Sequence, residues 1–224
     1  HVAGMKKELV SLGRGLGRDD VAALLMDEPL TVIDPQMKSD LRRRIKQASS
    51  RRQQTMVYVT HDQNEAMTFA DEVLVMRAGR VIQQGAADAL FENPQDTYVG
   101  TFIGSPGMKF LDAEVSGSRA IVGGHEVKLG AAYSDGPLKG RIQLGIRPEF
   151  CALTDEAEGL PVSIRRIEDV GRSRIVRAEV MGAPFNITVP EGGEVPAQGR
   201  LILAPEQINI YADDWRVAPI GEDQ

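Results

Sequence analysis

Asp27, Glu28 and His61 are the side chains whose types and spacing carry chemistry in this 224-residue chain. The two acids are adjacent and end the apolar run Val21-Ala22-Ala23-Leu24-Leu25-Met26. His61 follows a second strand-like run, 34 positions after Asp27. A short unbroken apolar run predicts a strand buried on both faces, as in parallel α/β sheets. Such sheets take their ligands at the carboxyl ends of the strands. If the two strands are parallel neighbours, His61 reaches the same edge as the acids. One acid for a metal, a second for an attacking water and a histidine for a terminal phosphate suffice to orient in-line phosphoryl transfer. Each group alone has a blander reading. Asp27-Glu28-Pro29 can be a strand running into an acidic helix cap, and a lone histidine after a strand is commonly a polar cap. Their common spacing favours the chemical reading.

The elements that must position these groups are legible in outline. Met5 to Leu16 has helical spacing, with Leu9, Leu12 and Leu16 apolar on one side. Asp34-Pro35 supplies an N-cap acid and a proline at the first helical position. Met37, Leu41, Ile45 and Ala48 then recur at helical spacing and are expected to face a core. Arg42, Arg43, Arg44, Arg51 and Arg52 are read as the solvated face of that helix. Thr55-Met56-Val57-Tyr58-Val59-Thr60 is a second strand, rich in β-branched and aromatic residues. Asn64 to Asp71 reads as a short helix, and Arg77-Ala78-Gly79 as the turn of a hairpin. Two further helical segments, near 86–92 and 95–103, end at Gly104-Ser105-Pro106-Gly107, a run of breakers expected at a domain boundary. Beyond it, short β-type stretches alternate with glycine, proline and acidic turns, which predicts a small sandwich or barrel.

Composition narrows the function classes. A net charge of −6 leaves no electrostatic footprint for nucleic acid, and aromatic content of 5% leaves few rings for bases to stack on. A single cysteine, Cys151, excludes an internal disulfide framework. No apolar run approaches the roughly 20 residues that span a bilayer, so work at a membrane is expected to pass through partner subunits.

Longer motifs carry a resemblance. Leu24-Leu25-Met26-Asp27-Glu28-Pro29-Leu30-Thr31-Val32-Ile33-Asp34 resembles the Walker B motif and D-loop of an ABC transporter ATPase, and Tyr58-Val59-Thr60-His61-Asp62-Gln63-Asn64-Glu65-Ala66-Met67 resembles its H-switch. Ser11-Leu12-Gly13-Arg14-Gly15-Leu16 is similar to the helix after the signature motif. Phe102-Ile103-Gly104-Ser105-Pro106 and Leu144-Gly145-Ile146-Arg147-Pro148-Glu149 are similar to the maltose-importer-like subfamily, which serves carbohydrate, polyol and glycerol-phosphate importers. The resemblance implies part of an α/β P-loop ATPase core over residues 1–104. It implies a β-rich regulatory domain of oligonucleotide-fold (TOBE) type over 105–224.

Carried over by position, the resemblance implies Asp27 on Mg²⁺, Glu28 as the general base, His61 on the γ-phosphate of ATP and Asp34 coupling two sites across an ATPase dimer. Its implied partners are a second ATPase subunit, identical or different, membrane permease subunits and, indirectly, a solute-binding protein, with no nucleic acid. The implied location is the cytoplasmic face of the membrane.

The pattern also departs from the family. The phosphate loop G-x-x-x-x-G-K-[ST] occurs nowhere in the sequence. Gly13-Arg14-Gly15-Leu16-Gly17 lacks its lysine and hydroxyl, so the chain by itself is expected to bind ATP weakly or not at all. Counting back from Leu16, the signature Leu-Ser-Gly-Gly-Gln falls on His1-Val2-Ala3-Gly4-Met5, where Gly4 alone survives. A register shifted by truncation and a degenerate signature in an asymmetric dimer both account for this. The chain is expected to be a piece of a longer ATPase subunit. The alternative is a non-hydrolytic regulatory module or decayed partner subunit.

Overall fold

In the computed structural model the described residues are 13–15, 21–31, 33–52, 54–133, 138–171, 173–196 and 199–222. The chain divides into two compact units, 1–73 and 74–224. In the first, Gly13 to Gly15 are helical, in keeping with a helix rather than a phosphate loop. Strands β1 (Ala23–Asp27) and β2 (Thr55–Val59) pair in parallel, from Ala23 opposite Thr55 to Asp27 opposite Val59. Parallel neighbours need a crossover, and helix α1 (Pro35–Arg52) supplies it. The Asp34 carboxylate accepts the Gln36 N–H at 2.9 Å, satisfying one of the free donors of the first turn. Helix α2 (Gln63–Phe69) follows β2, capped by Asp62, whose side chain accepts the Glu65 N–H at 3.2 Å.

Met26, Leu30, Ile33, Ile45 and Phe69 form the core of this unit, with Leu24, Leu41, Met56 and Tyr58 packed against it. Two expectations change here. Met37 is 46% exposed, because this small core meets the middle of α1 and not its first turn. The apolar run is also buried on one face only. Leu24 and Met26 turn inward, whereas Leu25 is 71% exposed and shares its face with the half-exposed Val57 and Val59. A two-stranded sheet packed on one side leaves the alternate side chains uncovered.

The second unit is mostly β. Hairpin β3 (Val73–Arg77) and β4 (Arg80–Gly85) turns through Ala78 and Gly79, both at positive φ (50° and 77°), as a two-residue hairpin turn requires. Helices α3 (Ala87–Glu92) and α4 (Thr97–Phe102) are one to two turns long. Strands β5 (Lys109–Asp112), β9 (Ile142–Ile146), β15 (Asn209–Ala212) and β16 (Trp215–Val217) make one antiparallel sheet in the order β16-β15-β9-β5. The order β10-β14-β11-β12-β13 makes another, from Cys151–Thr154, Arg200–Leu203, Leu160–Asp169, Ser173–Val180 and Ala183–Pro190 respectively. A meander of β6 (Glu114–Ser116), β7 (Arg119–Val122) and β8 (His125–Lys128) completes it. One continuous core runs through these sheets, Leu144, Ile146, Leu160, Phe185, Ile187 and Leu201 being almost wholly enclosed.

Arg147 fastens α3 and α4 to the sheets. Its guanidinium donates to the Phe91 carbonyl (3.0 and 2.7 Å) and to the Ile103 carbonyl (2.6 Å), and it lies 3.9 Å over the Phe91 ring. These are end-of-helix carbonyls that lack intrahelical partners, so a buried cation there is well matched. Tyr211 adds an O–H donated to the Pro94 carbonyl at 2.9 Å.

Candidate active site

The parallel register decides the site. With Asp27 opposite Val59, the next residues of the two strands leave the sheet at one edge, and Glu28 donates its N–H to the Val59 carbonyl at 2.8 Å. Glu28 sits at φ 45°, in the left-handed region that costs a non-glycine residue about 1 kcal/mol or more. The tight turn that follows, with the Thr31 N–H donated to the Glu28 carbonyl at 3.2 Å, fixes that conformation. It aims the carboxylate at the neighbouring strand.

There it meets His61, with Nδ1 2.7 Å from Oε1. The Thr31 hydroxyl donates to Oε2 of the same carboxylate at 3.1 Å. The His61 contact and the Thr31 hydroxyl hold Glu28 below its ordinary carboxylate range. The hydrogen bond to Glu28 and its negative charge raise His61 above the usual imidazole value. Both side chains remain open to solvent, at 43% and 71% exposure, so a ligand can reach them. Glu28 is therefore a solvent-accessible carboxylate at neutral pH, and His61 is biased toward its cationic form.

Asp27 closes the same strand and is exposed. Among the described residues no group of three or more His, Cys, Asp or Glu side chains gathers to hold a metal unaided. A lone exposed carboxylate fits a Mg²⁺ that takes its other ligands from phosphates and water. Asp34 caps α1 and is exposed, its carboxylate bonded to the Gln36 N–H rather than to Glu28 or His61. Gly4 lies outside the described residues.

Glu65 was not anticipated as part of the site. It is 3% exposed and accepts the Tyr58 hydroxyl (2.9 Å) and the Thr60 hydroxyl (3.0 Å) on Oε2. The spacing Asp62-x-x-Glu65 signals a capping box, which would send the glutamate back to the cap N–H. It bonds the strand-end hydroxyls instead.

A parallel β–α–β unit with two acids and a histidine at its carboxyl edge, followed by a β-rich unit, is the class that fold and site define. Known proteins narrow it. The sn-glycerol-3-phosphate import ATP-binding protein UgpC of Jannaschia sp. (strain CCS1) is 34% identical over 216 residues, 96% of this chain and 60% of that relative. The protein of the same name from Salmonella paratyphi A is 36% identical over 179 residues, 78% of this chain and 50% of the relative. A putative ATP-binding protein of Brucella abortus (strain 2308) is 33% identical over 214 residues, covering 95% and 58%. No family model matches the chain. On these similarities the chain belongs to the ATP-binding proteins of ABC importers, in the maltose-importer-like group. It spans between half and three-fifths of the length of these relatives.

Proposed function

We propose that the chain supplies the hydrolytic corner and the regulatory domain of an ATP-hydrolysing subunit that energises an importer of sn-glycerol 3-phosphate or of a related sugar or polyol. The Glu28–His61 contact carries this reading: two groups 33 positions apart meet at the ligand-binding edge of a parallel sheet. Glu28, kept ionised, accepts a proton from the water that attacks the terminal phosphate. His61, drawn toward its cationic form by Glu28, donates to that phosphate and in doing so exchanges one anionic partner for another. Asp27 is the residue that would hold Mg²⁺, whose contribution is charge neutralisation on the phosphates. Gly4 and Asp34 are proposed to face nucleotide across a dimer of ATPase subunits, Asp34 serving also as the cap of α1.

The phosphate-cradling loop is absent from this sequence, so the chain alone is proposed to be inactive and the P-loop half to come from elsewhere in a longer subunit. The exposed apolar face of Leu25, Val57 and Val59 supports this, because a fuller α/β core would cover it. Residues 105–224 are proposed as a regulatory domain of oligonucleotide-fold type, and permease subunits and a solute-binding protein as partners. Attachment to the cytoplasmic face of the membrane through the permease is part of the proposal; no helix among the described residues is long and apolar enough to cross a membrane.

The test is ATP hydrolysis by the complete subunit with its permease. Glu28→Gln is expected to slow hydrolysis by roughly 10²-fold or more while ATP is still bound. Hydrolysis at the unaltered rate would overturn the assignment.

A further inference from the structure

His61 is exposed, yet the residues on either side of it are held from beneath by one buried carboxylate. Glu65 Oε2 accepts the Thr60 hydroxyl at 3.0 Å, and the same Thr60 oxygen accepts the Asp62 N–H at 3.0 Å. Asp62 in turn accepts the Glu65 N–H at 3.2 Å. The second oxygen, Oε1, has no hydrogen-bond partner among the described residues. Its neighbour is the Lys38 ammonium at 3.5 Å, an ion pair between a buried carboxylate and a side chain that is 22% exposed. Lys38 stands on α1, one turn from Asp34, and donates its backbone N–H to the Asp34 carbonyl at 3.1 Å.

We propose that Glu65 is the positioning residue of the His61 turn, and that its pair with Lys38 couples α1, the helix that begins at Asp34, to His61. This rests on the reading of His61 as a phosphate-contacting residue. A buried carboxylate with one oxygen unpaired is held in place by whichever cation approaches it. The ammonium is beyond a short charge-assisted contact, typically 2.7–2.9 Å. A displacement of α1 by less than an ångström would complete or release the pair. Since Oε1 and Oε2 belong to one carboxyl group, the ammonium on the first oxygen alters the hold on Thr60 through the second. Any movement at Asp34 thereby reaches the backbone that carries His61, without touching Glu28.

A double-mutant cycle in the full chain tests the coupling, read by amide hydrogen exchange at Asp62 and Glu65 and by the His61 ring resonances. The Ile45 and Met26 amides report the fold itself. Lys38→Met keeps the aliphatic stem and removes the charge; Glu65→Gln keeps the shape. Each is expected to speed exchange at Asp62 and Glu65 by about tenfold relative to Ile45, and Glu65→Gln also to shift the His61 ring signals. The double variant is expected to be no worse than the more damaging single one, the signature of one shared interaction. Additive effects would overturn the proposal, as would an unchanged Asp62 amide in Lys38→Met. Equal loss of protection at Asp62 and Ile45 would reduce Glu65 to a structural residue. Should Glu65→Gln not fold, Lys38→Met decides by itself. Neither readout uses ATP, so failure here counts against the coupling, while hydrolysis by Glu28→Gln counts against the hydrolase reading.

Discussion

His61 Nδ1 lies 2.7 Å from Glu28 Oε1 across 33 positions of sequence, and the separation is bridged by register rather than by a loop. Asp27 and Val59 are the last paired residues of two parallel strands, so Glu28 and His61 emerge beyond the same rung. A one-residue slip would send the side chains of β1 to the opposite face and dissolve the pair. The inward packing of Leu24 and Met26 against Ile45 and Phe69 protects that register.

The pair has a defined pH window. Glu28 is held below its ordinary value of 4.5, by the His61 contact first and the Thr31 hydroxyl second. His61 is raised above 6.5 by the same contact. Glu28 therefore contributes stability above pH 4.5 and loses it as the pH falls through its lowered value. His61 contributes below pH 6.5 and loses it as the pH rises through its raised value. The pair is strongest between about 4.5 and 6.5. An NMR titration of the His61 ring is expected to show a midpoint above the ordinary imidazole value that falls back in Glu28→Gln. Because both groups are exposed, the melting temperature is expected to move little.

The cap of α1 is separable from any role of Asp34 across a dimer. Asp34→Ala removes the acceptor of the Gln36 N–H and is expected to cost about 1 kcal/mol, while Asp34→Asn keeps it and costs a few tenths. Denaturant unfolding followed by helical circular dichroism measures both. A loss of ATP hydrolysis by the complete subunit in Asp34→Asn, with stability retained, would then support the role proposed for Asp34 across a dimer.

Much of this was legible in the sequence because the signals were local or periodic. The apolar run before Asp27, the Asp34-Pro35 start of α1 and the β-branched run of β2 each name their element, and a parallel reading of two such strands places His61 beside Glu28. Burial was less legible. The run Ala22 to Met26 looks doubly buried because its composition is that of a central strand, yet Leu25 is exposed here. Composition records the sheet a strand is suited to, and exposure records the neighbours it has. Glu65 was hidden for another reason: a glutamate at the third helical position looks like a capping residue until Tyr58 and Thr60 are seen to claim it. The strands β6 (Glu-Val-Ser) and β8 (His-Glu-Val-Lys) hold one aliphatic residue each among polar ones, too few for a run or an alternation to register.

Arg147 and Gly104 form a second linked pair. Gly104 has φ +110°, and a β-carbon there would lie 2.5 Å from Arg147 Nη1. Arg147→Met leaves the Phe91 and Ile103 carbonyls without their donors and is expected to destabilise the second unit by about 2–4 kcal/mol. Gly104→Ala is expected to cost about 1–3 kcal/mol through backbone strain and the clash with the guanidinium. With Arg147 already replaced by Met, the clash contribution disappears and only the strain remains. Urea unfolding of the two single variants and the double variant is expected to give a clear shortfall from additivity. Additive losses would show that the Gly104 requirement is conformational alone.

Cys151 offers a direct probe of the β-rich unit. It is 8% exposed, its thiol directed at the Arg147 carbonyl at 3.5 Å. Burial first, and the nearby Glu149 charge second, push the thiol from 9.0 up to about 12. The thiolate is the reactive form, so at pH 8 about one molecule in ten thousand carries it in the folded state. Labelling by a disulfide reagent is expected to be slow in native buffer and to accelerate with urea in step with unfolding. A group whose value is raised on folding contributes stability below its unfolded value and loses it as the pH rises. The β-rich unit is therefore expected to weaken above pH 9, and Cys151→Ala to flatten that decline. Rapid labelling at a rate independent of urea would place the thiol at the surface and remove both expectations together.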